Sequence, residues 1–105
     1  GSTIEELLRY FTAFPSLFFT LDITHALLNK QNYLDYIAEF KDKLIQLQIS
    51  GISSSKPDYL TGLFESEVDL KLILKNISCM NLPLRISNTN FETFLQSVDY
   101  YKSIV

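Results

Sequence analysis

The sequence predicts an all-α fold, a small bundle of five or six helices that begins with a helical hairpin. Three observations support this prediction. Residues 14–47 run from an apolar segment through a polar break at 29–32 into a second amphipathic segment. Apolar residues recur at helical spacing in most of the chain. Capping residues, prolines and one glycine stand where these segments begin or end.

Length and charge restrict the class of protein. A chain of 105 residues with 47% hydrophobic residues fits one domain with a modest core. The net charge of −3 and only nine Lys and Arg argue against a dense basic patch, so we expect neither nucleic-acid binding nor a polybasic membrane anchor. Residues 1–2 are interpreted as a tag remnant, and residues 3–105 as a single helical domain, a fragment of a longer subunit.

The expected location is cytoplasmic, with a nuclear location as the alternative. A single cysteine, Cys79, cannot form an internal disulfide, which fits a reducing compartment. Its apolar neighbourhood predicts a buried thiol. The longest apolar stretch, residues 17–28, is interrupted by polar residues and is too short to span a bilayer, so we expect no direct membrane insertion.

The first half of the chain is predicted to hold three helices. Ile4, Leu7 and Phe11 mark one face of a helix over residues 3–13, with Ser2 or Thr3 as its cap. Residues 16–28 allow two interpretations, since LFFTLDIT alternates like a strand whereas its leucines also fit a helix. Helix is favoured because helices are expected on both sides. A third helix is predicted over residues 31–49, ending at Gly51.

The second half is predicted to begin with a polar loop over residues 50–58. Asp58 can cap a short helix that reaches Phe64, and a longer helix is expected over residues 65–80. After a break at 81–83, the segment LRIS at residues 84–87 is predicted to be short and extended. Asn90 or Thr89 can cap a last helix over residues 90–104. Its buried side is predicted to hold Phe91, Phe94, Leu95, Val98, Tyr101 and either Ile104 or Val105.

Residues that carry reactive chemistry are sparse. His25 is the only histidine, so a cluster of histidine ligands is impossible. Three isolated glycines form no phosphate-binding loop. Glu65 and Asp69, one helical turn apart, are interpreted as charges on a solvated face. We therefore expect no catalytic residue, no cofactor, no metal and no small-molecule substrate, and hence a protein that is not an enzyme.

The aromatic run FPSLFF over residues 14–19 has two interpretations. The default is that it packs the core of the hairpin. The alternative is an exposed apolar patch that meets another helix, which is how helical scaffolds associate.

The hairpin resembles a known family. Residues 17–21 and 26–28, the polar break and residues 32–37 are similar to the helix–break–helix of vesicle-tethering subunits in the exocyst and the conserved oligomeric Golgi complex (the CATCHR family). Downstream, residues 67–80, the Asn81-Leu82-Pro83-Leu84 break and Phe94-Leu95 resemble the later part of the same family.

The resemblance implies a non-enzymatic helical scaffold whose helix faces pack on other protein subunits of a tethering complex, in membrane trafficking, peripheral at Golgi or vesicle membranes. The alternative is a helical interaction domain of another cytosolic or nuclear assembly, such as a chromosome, transcription or signalling scaffold. In either case hydrophobic burial would drive association. The expected partner-binding residues are Leu17, Phe18 and Leu21 on the first hairpin helix and Tyr33, Tyr36 and Phe40 on the second.

Overall fold

The fold contains a sheet of three short parallel strands, so the predicted all-α helical bundle is wrong. The computed structural model describes residues 3–55, 61–88 and 90–105. Among these residues the elements are α1 (Ile4–Ala13), β1 (Phe19–Asp22), α2 (Ile23–Leu28), α3 (Tyr33–Glu39), β2 (Leu44–Ile49), a 3-10 helix (Leu63–Glu65), α4 (Lys71–Ser78), β3 (Leu84–Ile86) and α5 (Phe91–Ile104).

The strands lie in chain order, β1-β2-β3, and both pairings are parallel. Leu47 of β2 is in register with Leu21 on one side and with Leu84 on the other. The register shifts once, because Phe19 pairs with Leu44 whereas Thr20 pairs with Gln46. Ile45 is therefore an extra, bulged residue of β2.

Residues 16–28 contain a strand and a short helix where one helix was favoured. The strand, β1, follows the alternation of LFFTLDIT, which was the alternative interpretation. Asp22 ends the strand and begins α2, since its Oδ1 accepts a hydrogen bond from the His25 N–H at 3.1 Å. A side-chain cap of this kind satisfies one of the open N–H groups of a helix start.

The helix predicted over residues 31–49 is wrong in its second half. Its first half is α3, capped by Asn32, and a turn over residues 40–43 leads into β2. After the bulged Ile45, burial in β2 alternates with the period of a strand, since Leu47 and Ile49 are 1% and 0% exposed whereas Gln46 and Gln48 are half-buried. Gly51 follows the strand rather than a helix. A Cβ at this position would collide with the carbonyl oxygen of Gly62.

The later elements are partly as predicted. The extended LRIS segment is confirmed as β3, and the last helix is confirmed as α5 with Asn90 as its cap, which accepts from the Thr93 N–H at 2.8 Å. The helix predicted over residues 65–80 is shorter, since α4 spans only Lys71–Ser78. The predicted caps Asp58 and Thr89 lie outside the described residues.

Two burial predictions in this half are wrong. The Cys79 side chain is exposed, because it follows the last residue of α4. On α5 the small polar residues Thr93 and Ser97 are buried, whereas Phe91 and Leu95 are exposed. Ser97 explains the orientation of the helix, since its Oγ accepts from the Leu63 N–H at 3.0 Å and ties α5 to the 3-10 helix.

The core lies between one face of the sheet and the helices. Ile23, Leu47 and Ile49 are almost fully buried and contact apolar residues of α3, the 3-10 helix and α4 in one cluster. Helix α1 joins this core through Phe11, whose ring centroid lies 5.5 Å from that of Phe19.

Burial of Tyr36 raises the pKa of its phenol, and the nearby Glu6 carboxylate raises it further.

Two substitutions in β2 test the strand assignment. We expect Leu47→Ala to lower the free energy of unfolding by about 2–5 kcal/mol, because it leaves a cavity in the core. The matched control Ile45→Ala should change it by no more than about 0.5 kcal/mol, because that side chain is mostly exposed. Urea unfolding followed by circular dichroism measures both values. Equal losses at the two positions would contradict the burial of Leu47 and the exposure of the bulged Ile45.

Candidate interaction face

The second face of the sheet is the candidate functional site. Side chains alternate along each strand, so the residues between the buried ones point away from the helices. They are exposed or half-buried. We call this surface the open face and define it by Phe18, Thr20, Asp22, Ile45, Gln46, Gln48 and Arg85.

Polar side chains form two rows across the open face. Thr20 Oγ1 donates to Gln46 Oε1 at 3.3 Å. In the next row Gln48 Nε2 lies 3.5 Å from Asp22 Oδ2, and Arg85 is in register with Gln48 on the other side. These contacts hold the amides in place, and they leave the Arg85 guanidinium at the end of its row.

The apolar end of the open face lies where β1 and β2 begin. Phe18 and Ile45 are 56% and 54% exposed and flank the paired residues Phe19 and Leu44. The Lys43 Nζ stands 5.3 Å from the centroid of the Phe18 ring and also donates to the Pro15 carbonyl oxygen. A positively charged ammonium group is attracted to the face of an aromatic ring. Lys43 therefore contacts both the Phe18 ring and the loop that precedes β1.

The six predicted partner-binding residues divide into two groups. Leu17 and Phe18 are exposed, at 46% and 56%. The other four lie in the hydrophobic core, out of reach of a partner in the folded protein: Leu21, Tyr33, Tyr36 and Phe40.

Sequence reasoning missed most of the open face. Gln46, Gln48 and Arg85 were not predicted as site residues, nor was Ile45. The signal was present in KLIQLQIS, where glutamines alternate with buried Leu47 and Ile49. Once residues 44–49 are assigned to a strand, the glutamines must share a face.

The arrangement is suited to binding. It combines two exposed apolar side chains, two amides that contact their neighbours and one guanidinium on adjacent strands. Among the described residues no group of three or more His, Cys, Asp and Glu could hold a metal ion. In the same part of the chain no helix has the length and apolar character needed to cross a membrane.

No protein-family model, no curated protein and no solved structure matches this chain.

Two phenylalanines distinguish the open face from the core. We expect Phe18→Asp to keep the circular dichroism spectrum and to change the free energy of unfolding by no more than about 1 kcal/mol, because the new carboxylate lies in water beside Lys43. Phe40→Asp should cost more than about 4 kcal/mol, because it removes a packed ring and buries an unpaired charge. Thermal and urea unfolding of the two variants give both values. Unfolding by Phe18→Asp would show that this ring belongs to the core.

Proposed function

We propose that this domain is a non-enzymatic protein-interaction module that binds a partner protein across the open face. The observation that carries the proposal is the exposed pair Phe18 and Ile45 at one end of two ordered polar rows. Protein interfaces typically combine apolar or aromatic anchors with a surrounding polar rim.

The backbone supports the same proposal. Parallel sheets in doubly wound folds are covered by helices on both faces, whereas stacked-repeat proteins leave one sheet surface free for binding. Here successive parallel strands lie in chain order, and the core lies on one side of them. Residues on strands are also held more precisely than residues on loops, which lowers the entropy lost when a partner binds.

The mode of contact that we propose differs from the one expected from the sequence. Tethering subunits were expected to associate through helix faces, and residues 19–22 and 44–49 are strands in this chain. The binding surface that we propose is therefore a face of the sheet. A tethering complex of membrane trafficking is the first partner class that we propose, and another cytosolic or nuclear assembly is the second.

Affinity capture from cell extract tests the proposal. The bait is the wild-type chain, and the test variant carries Phe18→Asp and Ile45→Asp together. The control is Leu72→Asp, because Leu72 is an equally large, 71% exposed residue on α4, away from the open face. We expect the double variant to capture about tenfold less of the specifically bound protein than the wild type, because it removes two central anchors. The control should capture as much as the wild type.

Two results bear on the two parts of the proposal. Full recovery of the partner by the double variant, or equal loss by the control, would contradict binding at the open face. The identity of the protein captured by the wild type decides between a tethering complex and another assembly.

A further inference from the structure

We propose that the outer edge of β3 binds an extended segment of a partner polypeptide, parallel to β3, with the residue pattern apolar, acidic, apolar, Ser or Thr. This goes beyond binding at the open face, because it uses main-chain groups of the edge and shares only Arg85 with the residues that define that face. Strand addition of this kind draws affinity from main-chain hydrogen bonds and specificity from alternate side chains.

The first observation is that burial decreases at β3. Leu47 and Ile49 of β2, which has strands on both sides, are 1% and 0% exposed. Leu84 and Ile86, at the equivalent register positions in β3, are only half-buried. Within the described ranges, β3 pairs with β2 alone. The outer edge of β3 could therefore pair with one more parallel strand, as β1 pairs with β2 and β2 with β3.

A groove beside β3 enlarges this surface. It has a volume of about 410 Å³ at the carboxyl end of the strand and is lined in part by Gln48, Arg85, Ile86, Ser87 and Phe91, so it adjoins the open face at Gln48. The Phe91 ring is 72% exposed and stacks on Phe94, with 6.2 Å between the ring centroids. An extended chain paired with β3 would cover part of this apolar surface.

The second observation is a row of hydroxyl groups after the three strands, formed by Thr24, Ser50 and Ser87, all buried. Thr24 Oγ1 accepts from the Ser50 N–H at 2.8 Å and donates to the Ser50 carbonyl oxygen at 3.0 Å. The hydroxyl of Thr24, the second residue of α2, is thus satisfied by the main chain that follows β2. Ser87 is 8% exposed, and its Oγ is buried without a hydrogen-bond partner within the residues that the structure describes. A Ser or Thr at the matching position of an added strand would continue this row beside Ser87.

The third observation is charge, and it defines the acidic position. Asp22, Gln48 and Arg85 share one register row, and the Asp22 carboxylate already accepts from Gln48 Nε2 and from the His25 N–H. No carboxylate among the described residues pairs with Arg85. An Asp or Glu in the adjoining strand would lie beside the Arg85 guanidinium, which favours carboxylates.

These requirements match the chemistry of β1 itself, which reads Leu21-Asp22-Ile23-Thr24. A second copy of the whole chain is a poorer occupant, because copies joined from β3 to β1 would form an open chain rather than a closed dimer. A flexible segment of another polypeptide does not have this restriction.

A peptide titration tests the inference. The probe is a synthetic, end-capped peptide with the sequence of residues 18–26, and the control is the same peptide with Asp22→Lys. We expect the intact domain to bind the probe at least tenfold more tightly than the control, with shifts of the Arg85, Ser87 and Phe91 amides in nuclear magnetic resonance spectra. Arg85→Glu in the domain should reverse the preference. The Phe18→Asp, Ile45→Asp double variant should bind the probe normally, so this test is independent of the apolar end of the open face.

Three outcomes would overturn the inference. They are no saturable binding of the probe up to millimolar concentration, a preference that Arg85→Glu leaves unchanged, and amide shifts confined to residues away from β3. Sedimentation of the chain alone adds a fourth. Concentration-dependent self-association that Arg85→Glu abolishes would identify a second copy as the occupant instead.

Discussion

Burial of alternate side chains of β2 is the constraint on which the rest of the structure depends. Leu47 and Ile49 are the least exposed strand residues, and they contact both the neighbouring strands and the helical layer. Because side chains in a strand alternate, burying these two residues forces Gln46 and Gln48 to the other face. A shift of one residue would place the glutamines in the core and the leucine in water. The register of β2 therefore fixes the core and the open face together.

The ends of the strands show how this register is maintained. Asp22 ends β1 and caps α2, so the chain turns from strand to helix without a loop. Two residues after Asp22, the Thr24 hydroxyl forms hydrogen bonds with the main chain of Ser50 and aligns the end of β1 with the end of β2. Gly51 lets the backbone after β2 approach Gly62 closely. Each device lies at the carboxyl end of the sheet, whereas the exposed Phe18 and Ile45 lie at the other end.

Local signals in the sequence were sufficient for α1, α5 and the extended segment at β3. They failed at residues 44–49, because the spacing of Phe40, Leu44 and Leu47 fits a helix, whereas that of Leu47 and Ile49 fits a strand. Pairing with two other strands decides between them, and such non-local contacts are not visible in a short window. The candidate site depends on the same pairing: two predicted contacts, Leu17 and Phe18, are exposed, but the face that adjoins them exists only once β2 is a strand.

Backbone contacts across β2 test the central claim most directly. Nuclear Overhauser spectra of the labelled domain should show contacts from Leu47 to the main chains of β1 and β3, together with slow amide exchange along β2. That result would establish the parallel sheet and the alternation on which both proposed surfaces depend. Contacts between residues three and four apart through 44–49, without contacts to the other strands, would show a continuous helix and contradict the account.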